Sequence, residues 1–144
     1  MSILRILSFV IWTITLVACA EVPKDAPRYQ RATAADQNNA NVYIYRINAY
    51  PKKRIPNIIV DERPIFEPPE GSYTTLQLEE GTHQVAIDWS WDVGNSTRFP
   101  IRVQKGVPIY IKITGVFFAK VLSQQEAEAE IQKCCQFIPV KIIK

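Results

Sequence analysis

The sequence predicts a mainly β protein, an antiparallel β-sandwich with one short C-terminal helix, preceded by a signal peptide and a flexible tether. Three observations support this prediction. Residues 6–18 are free of ionisable groups, residues 20–40 hold too few large apolar side chains to form a core, and apolar residues recur with a period of two from residue 41 onward. We therefore divide the chain into residues 1–18, residues 19–40 and one domain at residues 41–144.

The N-terminal apolar run has the length of a signal peptide. It spans 13 residues after Arg5, which is short of the roughly 20 that a helix needs to cross the hydrocarbon core of a bilayer. The run ends in Leu16-Val17-Ala18-Cys19, which resembles the lipobox of bacterial lipoproteins. The resemblance implies that the Cys19 sulfur receives a diacylglycerol, that the chain is cut before Cys19, and that its new amino group is acylated, commonly with palmitate.

The residues around Cys19 leave one alternative and indicate a location. Ala18-Cys19-Ala20 also fits ordinary secretory cleavage, which would release a soluble protein that begins at Glu21. Lipoproteins of this kind usually stay in the inner membrane when an Asp follows the cysteine, and here Ala20 follows it. We therefore expect a lipid anchor in the cell envelope, in the outer membrane of a Gram-negative cell, with the domain facing the periplasm.

Composition gives no reason to expect a nucleic-acid partner. Without Arg5 the chain carries 16 of its 17 basic residues against 14 acidic ones, and its one basic cluster, Lys52-Lys53-Arg54, has no interleaved aromatic residues. We interpret that cluster as a solvated loop, with proximity to anionic lipid headgroups as the alternative. The expected partners are the membrane, through the N-terminal lipid, and a periplasmic protein.

The adjacent Cys134 and Cys135 have three possible states in an oxidising compartment: buried thiols, a strained vicinal disulfide, or bridges to a second chain. We favour buried thiols, because consecutive Cα atoms lie about 3.8 Å apart, below the usual disulfide range. No metal site or other cofactor is expected, because His83 is the only histidine and no second cysteine pair completes a ligand set.

Residues 20–40 are interpreted as a flexible tether, which would span about 25 Å as a random coil. Strands follow at residues 42–47, 57–61, 73–78, 82–89, 98–104 and 107–114. Glu80-Gly81 and Lys105-Gly106 are predicted to close hairpins. Residues 42–45 are apolar on both sides, which suggests a strand covered on both faces or tyrosines at a boundary. The proline-rich residues 64–69 belong to loops or sheet edges.

One helix is predicted after Ser123, which fits an N-cap with Glu126 reaching back to its amide in a capping box. Ala127 and Ile131 share a face that would pack on the sheet, and Glu128 is assigned to the exposed side. A last strand is predicted at residues 138–142.

The domain resembles a family of small Gram-negative lipoproteins that is known only as a domain of unknown function. The resemblance spans most of residues 40–134 and lies in Val42-Tyr43-Ile44-Tyr45-Arg46, Val60-Asp61, Gly71-Ser72-Tyr73, Gly81-Thr82-His83, Lys105-Gly106 and the Glu-Ala-rich helix. It implies a transthyretin-like or carboxypeptidase-regulatory-like β-sandwich and supplies no functional residues. Glu62 departs from the family pattern, in which such turns often have glycine, so the turn type after Asp61 is left open.

Nothing in the sequence forms a catalytic constellation, so we expect a non-enzymatic structural or interaction module. His83 is interpreted as a structural or hydrogen-bonding residue, since no nucleophile accompanies it. Trp89 and Trp91 share one side of a strand end. Trp89 is expected to fill the core, whereas Trp91 is the candidate for binding a glycan or peptide, the alternative function.

Overall fold

The period-two segments form strands whose side chains point alternately to the two faces of a sheet. The computed structural model describes residues 22–32, 38–89, 96–115 and 119–140. Within these ranges the elements are β1 (Asn39–Arg46), β2 (Asn57–Val60), β3 (Arg63–Phe66), β4 (Ser72–Glu79), β5 (Gly81–Asp88), β6 (Thr97–Val103), β7 (Ile109–Ile113), β8 (Ala119–Leu122), α1 (Gln124–Cys134) and β9 (Gln136–Phe137).

The strands form two sheets that pack face to face. Over the described residues, one sheet has the order β8-β7-β1-β4-β9 and the other the order β3-β2-β5-β6. The predicted mainly β sandwich with one short C-terminal helix is confirmed. Most neighbouring strands are antiparallel, but β7 runs parallel to β1 and β9 runs parallel to β4. Alternation within a strand does not reveal the direction of its neighbour.

The core between the sheets is mainly aliphatic, with Phe66 and Trp89 as its aromatic members. Trp89 is almost completely buried, as expected from the sequence. Burial of this set from water is the main favourable contribution to folding. The remaining members are Ala40, Val42, Ile44, Ala49, Ile58, Val60, Val85, Ile87, Ile101, Val103, Ile111 and Ile113.

β1 lies in the middle of the five-stranded sheet and is covered on both faces. Val42 and Ile44 point into the core between the sheets, whereas Tyr43 and Tyr45 point to the opposite face, where α1 packs through Ala127. Of the two interpretations of residues 42–45, the strand covered on both faces is therefore confirmed. The described residues therefore form three layers, with α1 outside the five-stranded sheet.

The two predicted hairpins are wrong. The strands on either side of Glu80-Gly81, β4 and β5, lie in different sheets, and so do β6 and β7 on either side of Lys105-Gly106. Each turn carries the chain across the sandwich instead of folding a strand back on its predecessor. Period-two alternation identifies a half-buried strand, but the choice of partner depends on contacts distant in the sequence.

A two-residue hairpin joins β2 and β3 at Asp61-Glu62, where the sequence left the turn type open. Asp61 has φ 47° and Glu62 has φ 65°, and positive φ at both central residues is what a type I′ turn requires. β3 is an edge strand, which agrees with the expectation that residues 64–69 lie in loops or edges.

Several element boundaries differ from the predicted ones. β1 begins at Asn39, two residues before the predicted start of the domain, and β8 was not predicted. β9 precedes the strand expected at residues 138–142, of which 141–142 lie outside the described residues, and residues 138–140 are not a strand. The helix is confirmed with Ser123 as its N-cap, but the Ser123 hydroxyl donates to the Glu126 carboxylate, at 2.6 Å, in place of the predicted bond to the Ser123 amide.

The last residue of β1, Arg46, occupies a core-facing position and has no exposed surface. Its guanidinium donates to the carbonyl oxygens of Arg54, Pro68, Ala49 and Pro51 at 2.8, 3.0, 3.2 and 2.6 Å respectively. The guanidinium carbon also lies 5.4 Å from the centre of the Trp89 ring. A fork of several donors suits this set of carbonyls.

A carboxylate accompanies this buried charge. Glu70 lies 3.6 Å from Nε of Arg46 and accepts hydrogen bonds from the backbone amides of Asn48 and Ala49. Burial lowers the pKa of Arg46, and the charge of Glu70 opposes that effect. Arginine nevertheless stays protonated in proteins. The loops that follow β1 and precede β4 are therefore held together by one cation.

We expect Arg46→Met to lower the free energy of unfolding by about 3 kcal/mol or more, because the buried carbonyls and Glu70 lose their shared partner. Arg46→Lys should restore only part of the loss, since one ammonium group cannot serve carbonyls in two loops. Urea unfolding measures both values. The exposed Arg102→Met is the control, with a change within about 0.5 kcal/mol. A similarly small change in Arg46→Met would contradict the prediction.

Glu62→Gly should raise the free energy of unfolding by about 0.5 kcal/mol, because glycine adopts positive φ without the steric cost that Glu62 bears. Glu80→Gly is the matched control. Glu80 is also an exposed turn residue but has no positive φ, so glycine there should be neutral or destabilising. Urea midpoints compare the two variants, and equal destabilisation by both would refute the strain at Glu62.

Candidate functional site

The helix-side face of the five-stranded sheet carries a cluster of tyrosines. Tyr43 and Tyr110, on the neighbouring strands β1 and β7, stack with ring centres 4.7 Å apart and planes 6° apart. Tyr29, from the segment before β1, meets Tyr43 at 6.1 Å and Tyr73 of β4 edge-on at 5.5 Å. The rings form one connected patch between the sheet, α1 and the segment that precedes β1.

Glu128 of α1 is the common hydrogen-bond acceptor of this patch. Its carboxylate accepts hydrogen bonds from the hydroxyls of Tyr110 and Tyr29, at 2.7 and 3.0 Å. Arg31 donates to both of its oxygens, from Nε at 3.0 Å and from a terminal nitrogen at 2.6 Å. The assignment of Glu128 to the exposed side of the helix is wrong, because its side chain is only 12% exposed. It lies at the margin of the face formed by Ala127 and Ile131.

These contacts shift the pKa values of the groups involved. The hydrogen bonds from Arg31 lower the pKa of Glu128 to about 2, although burial acts in the opposite direction. Burial raises the pKa of Tyr29 to about 12 and also raises that of Tyr110. Between about pH 2 and about pH 12, the pKa values of Glu128 and Tyr29, Glu128 is a carboxylate and the hydroxyls of Tyr29 and Tyr110 are hydrogen-bond donors. The contribution of Glu128 to stability is thus present above its unfolded pKa of 4.5 and is lost only as the pH falls towards 2.

A second carboxylate fastens the other margin of the helix to the sheet. Glu130 accepts hydrogen bonds from the Tyr45 hydroxyl and from the Lys112 ammonium, each at 2.7 Å. Burial opposes its ionisation, but the bond from Lys112, followed by that from Tyr45, brings its pKa below the ordinary value. The two glutamates thus flank the apolar face of α1 on either side.

Residues 27–32, which we call the N-terminal strap, pack on this face. Pro27 accepts a hydrogen bond from the amide of Phe137 at 2.8 Å. The strap amides of Gln30 and Ala32 donate to the hydroxyls of Tyr73 and Tyr43, at 3.3 and 3.0 Å. The flexible-tether interpretation of residues 20–40 is therefore wrong for the strap. Residues 20–40 contain no Leu, Ile, Phe or Trp, but the strap is held by Tyr29, by Arg31 and by its own backbone.

The strap contacts the five-stranded sheet at one end of the sandwich. Arg28 forms an isolated β-bridge with Gln136. In the sheet, Gln136 pairs with Ser72, and Ser72 pairs with Arg46. These residues stand in one row across the sheet, at the end where β1 finishes and β4 begins. We call this the strap end of the sandwich. The far end is where β1 begins and β4 finishes.

His83 lies at the far end and is bound on both ring nitrogens. Nδ1 is 2.5 Å from the Asp61 carboxylate and Nε2 is 2.9 Å from the carbonyl of Glu79. Burial lowers the pKa of His83, but the hydrogen bonds to Asp61 and to that carbonyl outweigh it, so the pKa is above the usual 6.5. Two acceptors around one imidazole favour the doubly protonated cation. This arrangement ties β5 to the Asp61-Glu62 turn and agrees with the interpretation of His83 as a hydrogen-bonding residue.

The structure joins Cys134 and Cys135 as a vicinal disulfide at the end of α1, with Cα atoms 3.7 Å apart. This is one of the three states considered, and it is not the favoured pair of buried thiols. Cys135 is buried beside the tyrosine patch, and its amide caps the helix by donating to the carbonyl of Ile131 at 2.9 Å. The bridge therefore lies inside the domain, where α1 passes into β9.

Two of the predicted site residues, Cys19 and Trp91, lie outside the described residues, as does the signal peptide. Their assigned roles stay predictions. Among residues that the structure describes, no group of histidine, cysteine or acidic side chains is arranged to hold a metal ion. Over the same ranges, no helix is both long and apolar enough to cross a membrane.

Comparison of the chain with models of protein families, with curated proteins and with solved structures finds no match. The resemblance to the lipoprotein domain family therefore stays a prediction from the sequence.

Glu128→Gln should loosen the strap, because the amide loses the charge-assisted bonds from Arg31 and the tyrosines. We expect trypsin to cleave after Arg28 and Arg31 about tenfold faster than in the parent protein. Limited proteolysis followed by mass spectrometry measures the rates. Glu126→Gln is the matched control, since Glu126 is on the same helix and, among the described residues, is hydrogen-bonded to Ser123. Equal rates in the two variants would refute the clamping role of Glu128.

Because the pKa of His83 is raised in the folded state, its pairing with Asp61 contributes stability fully below pH 6.5 and loses it as the pH rises through the folded pKa. We therefore expect Asp61→Asn to destabilise the protein more at pH 5.5 than at pH 9. Asn is the suitable replacement because it tolerates the positive φ of this position. Urea unfolding at both pH values tests this expectation. In a His83→Asn background, the same substitution should cost equally at both, and a persistent difference would count against the pair.

Proposed function

We propose that this chain is a lipid-anchored protein of the bacterial cell envelope, located in the outer membrane and facing the periplasm, where it acts as a non-enzymatic structural or interaction module. Its sandwich is held near the membrane, because the N-terminal strap is docked on the domain. The domain is thus held by a shorter segment than the flexible tether expected at residues 20–40.

The docked strap is the observation that carries the proposal. Eight residue steps separate Cys19 from Pro27, where the strap begins, whereas twenty separate Cys19 from Asn39 of β1. A fully extended chain covers at most about 3.5 Å per residue, so the strap limits the reach from about 70 Å to about 28 Å. A diacylglycerol together with an acyl chain at Cys19 would bind the membrane almost permanently. The domain would then stay close to the headgroups.

The polar groups of the described residues support a non-enzymatic module. His83 is engaged on both nitrogens, and Glu128 and Glu130 are each saturated by tyrosine and cationic partners. General acid-base catalysis needs a group that reaches the reacting atoms in the right protonation state. These three residues instead connect elements of the fold to one another.

The proposal is tested in cells that receive labelled palmitate. The parent chain should incorporate the label and fractionate with the outer membrane, whereas Cys19→Ala should not incorporate it. The double variant Cys134→Ser with Cys135→Ser is the control and should keep the label. Ala20→Asp should move the labelled protein to the inner membrane. Recovery of the parent chain in the soluble fraction, unlabelled and starting at Glu21, would refute the anchor.

A further inference from the structure

The loop that joins β1 to β2, residues 47–56, combines an exposed aromatic ring with a run of cations. We call it the basic loop. Tyr50 is 71% exposed, and the ammonium group of Lys52 lies 5.8 Å from the centre of its ring. Lys53 and Arg54 follow and are also exposed. An exposed tyrosine with neighbouring cations is typical of surfaces that meet a boundary between water and an apolar phase.

The basic loop is ordered by the buried Arg46 and by the partly exposed Glu70. Arg46 donates to the carbonyls of Ala49, Pro51 and Arg54, and Glu70 accepts from the amides of Asn48 and Ala49. Its backbone is therefore fixed before any partner arrives. A preorganised surface binds with a smaller loss of conformational entropy than a mobile one.

The loop and the strap share the strap end of the sandwich. Arg46, from which the loop starts, and Arg28 of the strap stand in the same row, separated by Ser72 and Gln136. Neighbouring strands lie about 4.8 Å apart, which makes the backbone separation of the two arginines about 14 Å. Arg28 and the basic loop therefore lie at the same end of the sandwich.

The charges of the domain are polarised along the same axis. Exposed cations at the strap end are Arg28, Lys52, Lys53, Arg54 and Lys133, and exposed anions at the far end are Asp61, Glu62, Glu79, Glu80 and Glu126. Some charges have the opposite placement: Arg63, Arg102 and Lys105 lie at the far end, and Glu67 lies before β4. The net arrangement makes the end of the sandwich that holds Arg28 cationic. Such an end complements an anionic surface.

We propose that the basic loop is a membrane-contacting face that binds the headgroups of anionic phospholipids, with Tyr50 at the interface and Lys52 and Lys53 on the phosphates. The proposal rests on the proposed function, which keeps the domain near a membrane. Tyrosine is enriched at membrane interfaces, and each basic side chain near an anionic surface contributes about fivefold to binding. The contact would orient the sandwich with its acidic far end towards the periplasm.

The test uses whole-chain protein from cells, reconstituted into vesicles that contain a headgroup-labelled quencher lipid. Tyr50→Trp reports on the loop. Val107→Trp is the matched control, since Val107 is 49% exposed and precedes β7 at the far end. With phosphatidylglycerol in the vesicles, quenching above that of the parent tryptophans is expected at position 50 and is not expected at position 107. In the Tyr50→Trp chain, Lys52→Glu with Lys53→Glu should reduce quenching to the level at position 107.

Three outcomes would overturn the membrane face: equal quenching at both positions, equal quenching at position 50 in vesicles of neutral phosphatidylcholine, or quenching that survives the double charge reversal. If the reversal leaves quenching unchanged and removes a protein crosslink in cells, the loop binds a protein instead. Palmitate incorporation tests the anchor separately. A chain without lipid can still be added to the same vesicles, so failure of the anchor and failure of the loop are distinguishable.

Discussion

The buried guanidinium of Arg46 joins the loop that follows β1 to the segment that precedes β4. Arg46 is the last residue of β1, and its guanidinium lies against Trp89 of the core. It donates hydrogen bonds to the carbonyls of Pro51, in the loop after β1, and of Pro68, in the segment before β4. A charge without exposed surface is tolerated only where hydrogen bonds or an opposite charge offset its loss of hydration. The shape of the basic loop and the position of the segment before β4 both follow from this requirement.

The second constraint is the burial of tyrosines on the opposite face of the same strand. Their rings pack like core residues, but their hydroxyls need acceptors, and Glu128 and Glu130 supply them from α1. Because Glu128 also binds Tyr29 and Arg31, the helix and the strap are fixed by one carboxylate. The position of the chain that leads to Cys19 thus depends on the packing of the sheet.

Much of the fold could be predicted from local patterns. Alternation located most strands, and Ser123 located the helix, because both signals come from neighbouring residues. Strand pairing could not be predicted in this way. The turns at Glu80-Gly81 and Lys105-Gly106 have the composition of hairpins, but the flanking strands pair with distant segments in different sheets. Whether a strand pairs with its neighbour in the sequence or with a distant strand depends on the packing of the whole core.

By itself, the sequence determined the fold class, the helix and the prediction of a lipid anchor at Cys19, since each depends on composition or short spacing. Only the tertiary structure decided that the strap is docked, that Glu128 is its acceptor and that the basic loop lies at the same end of the sandwich as Arg28. These features bring together residues about 100 positions apart, such as Tyr29 and Glu128. No local pattern encodes such a contact, because it forms only when the sheet has brought both surfaces together.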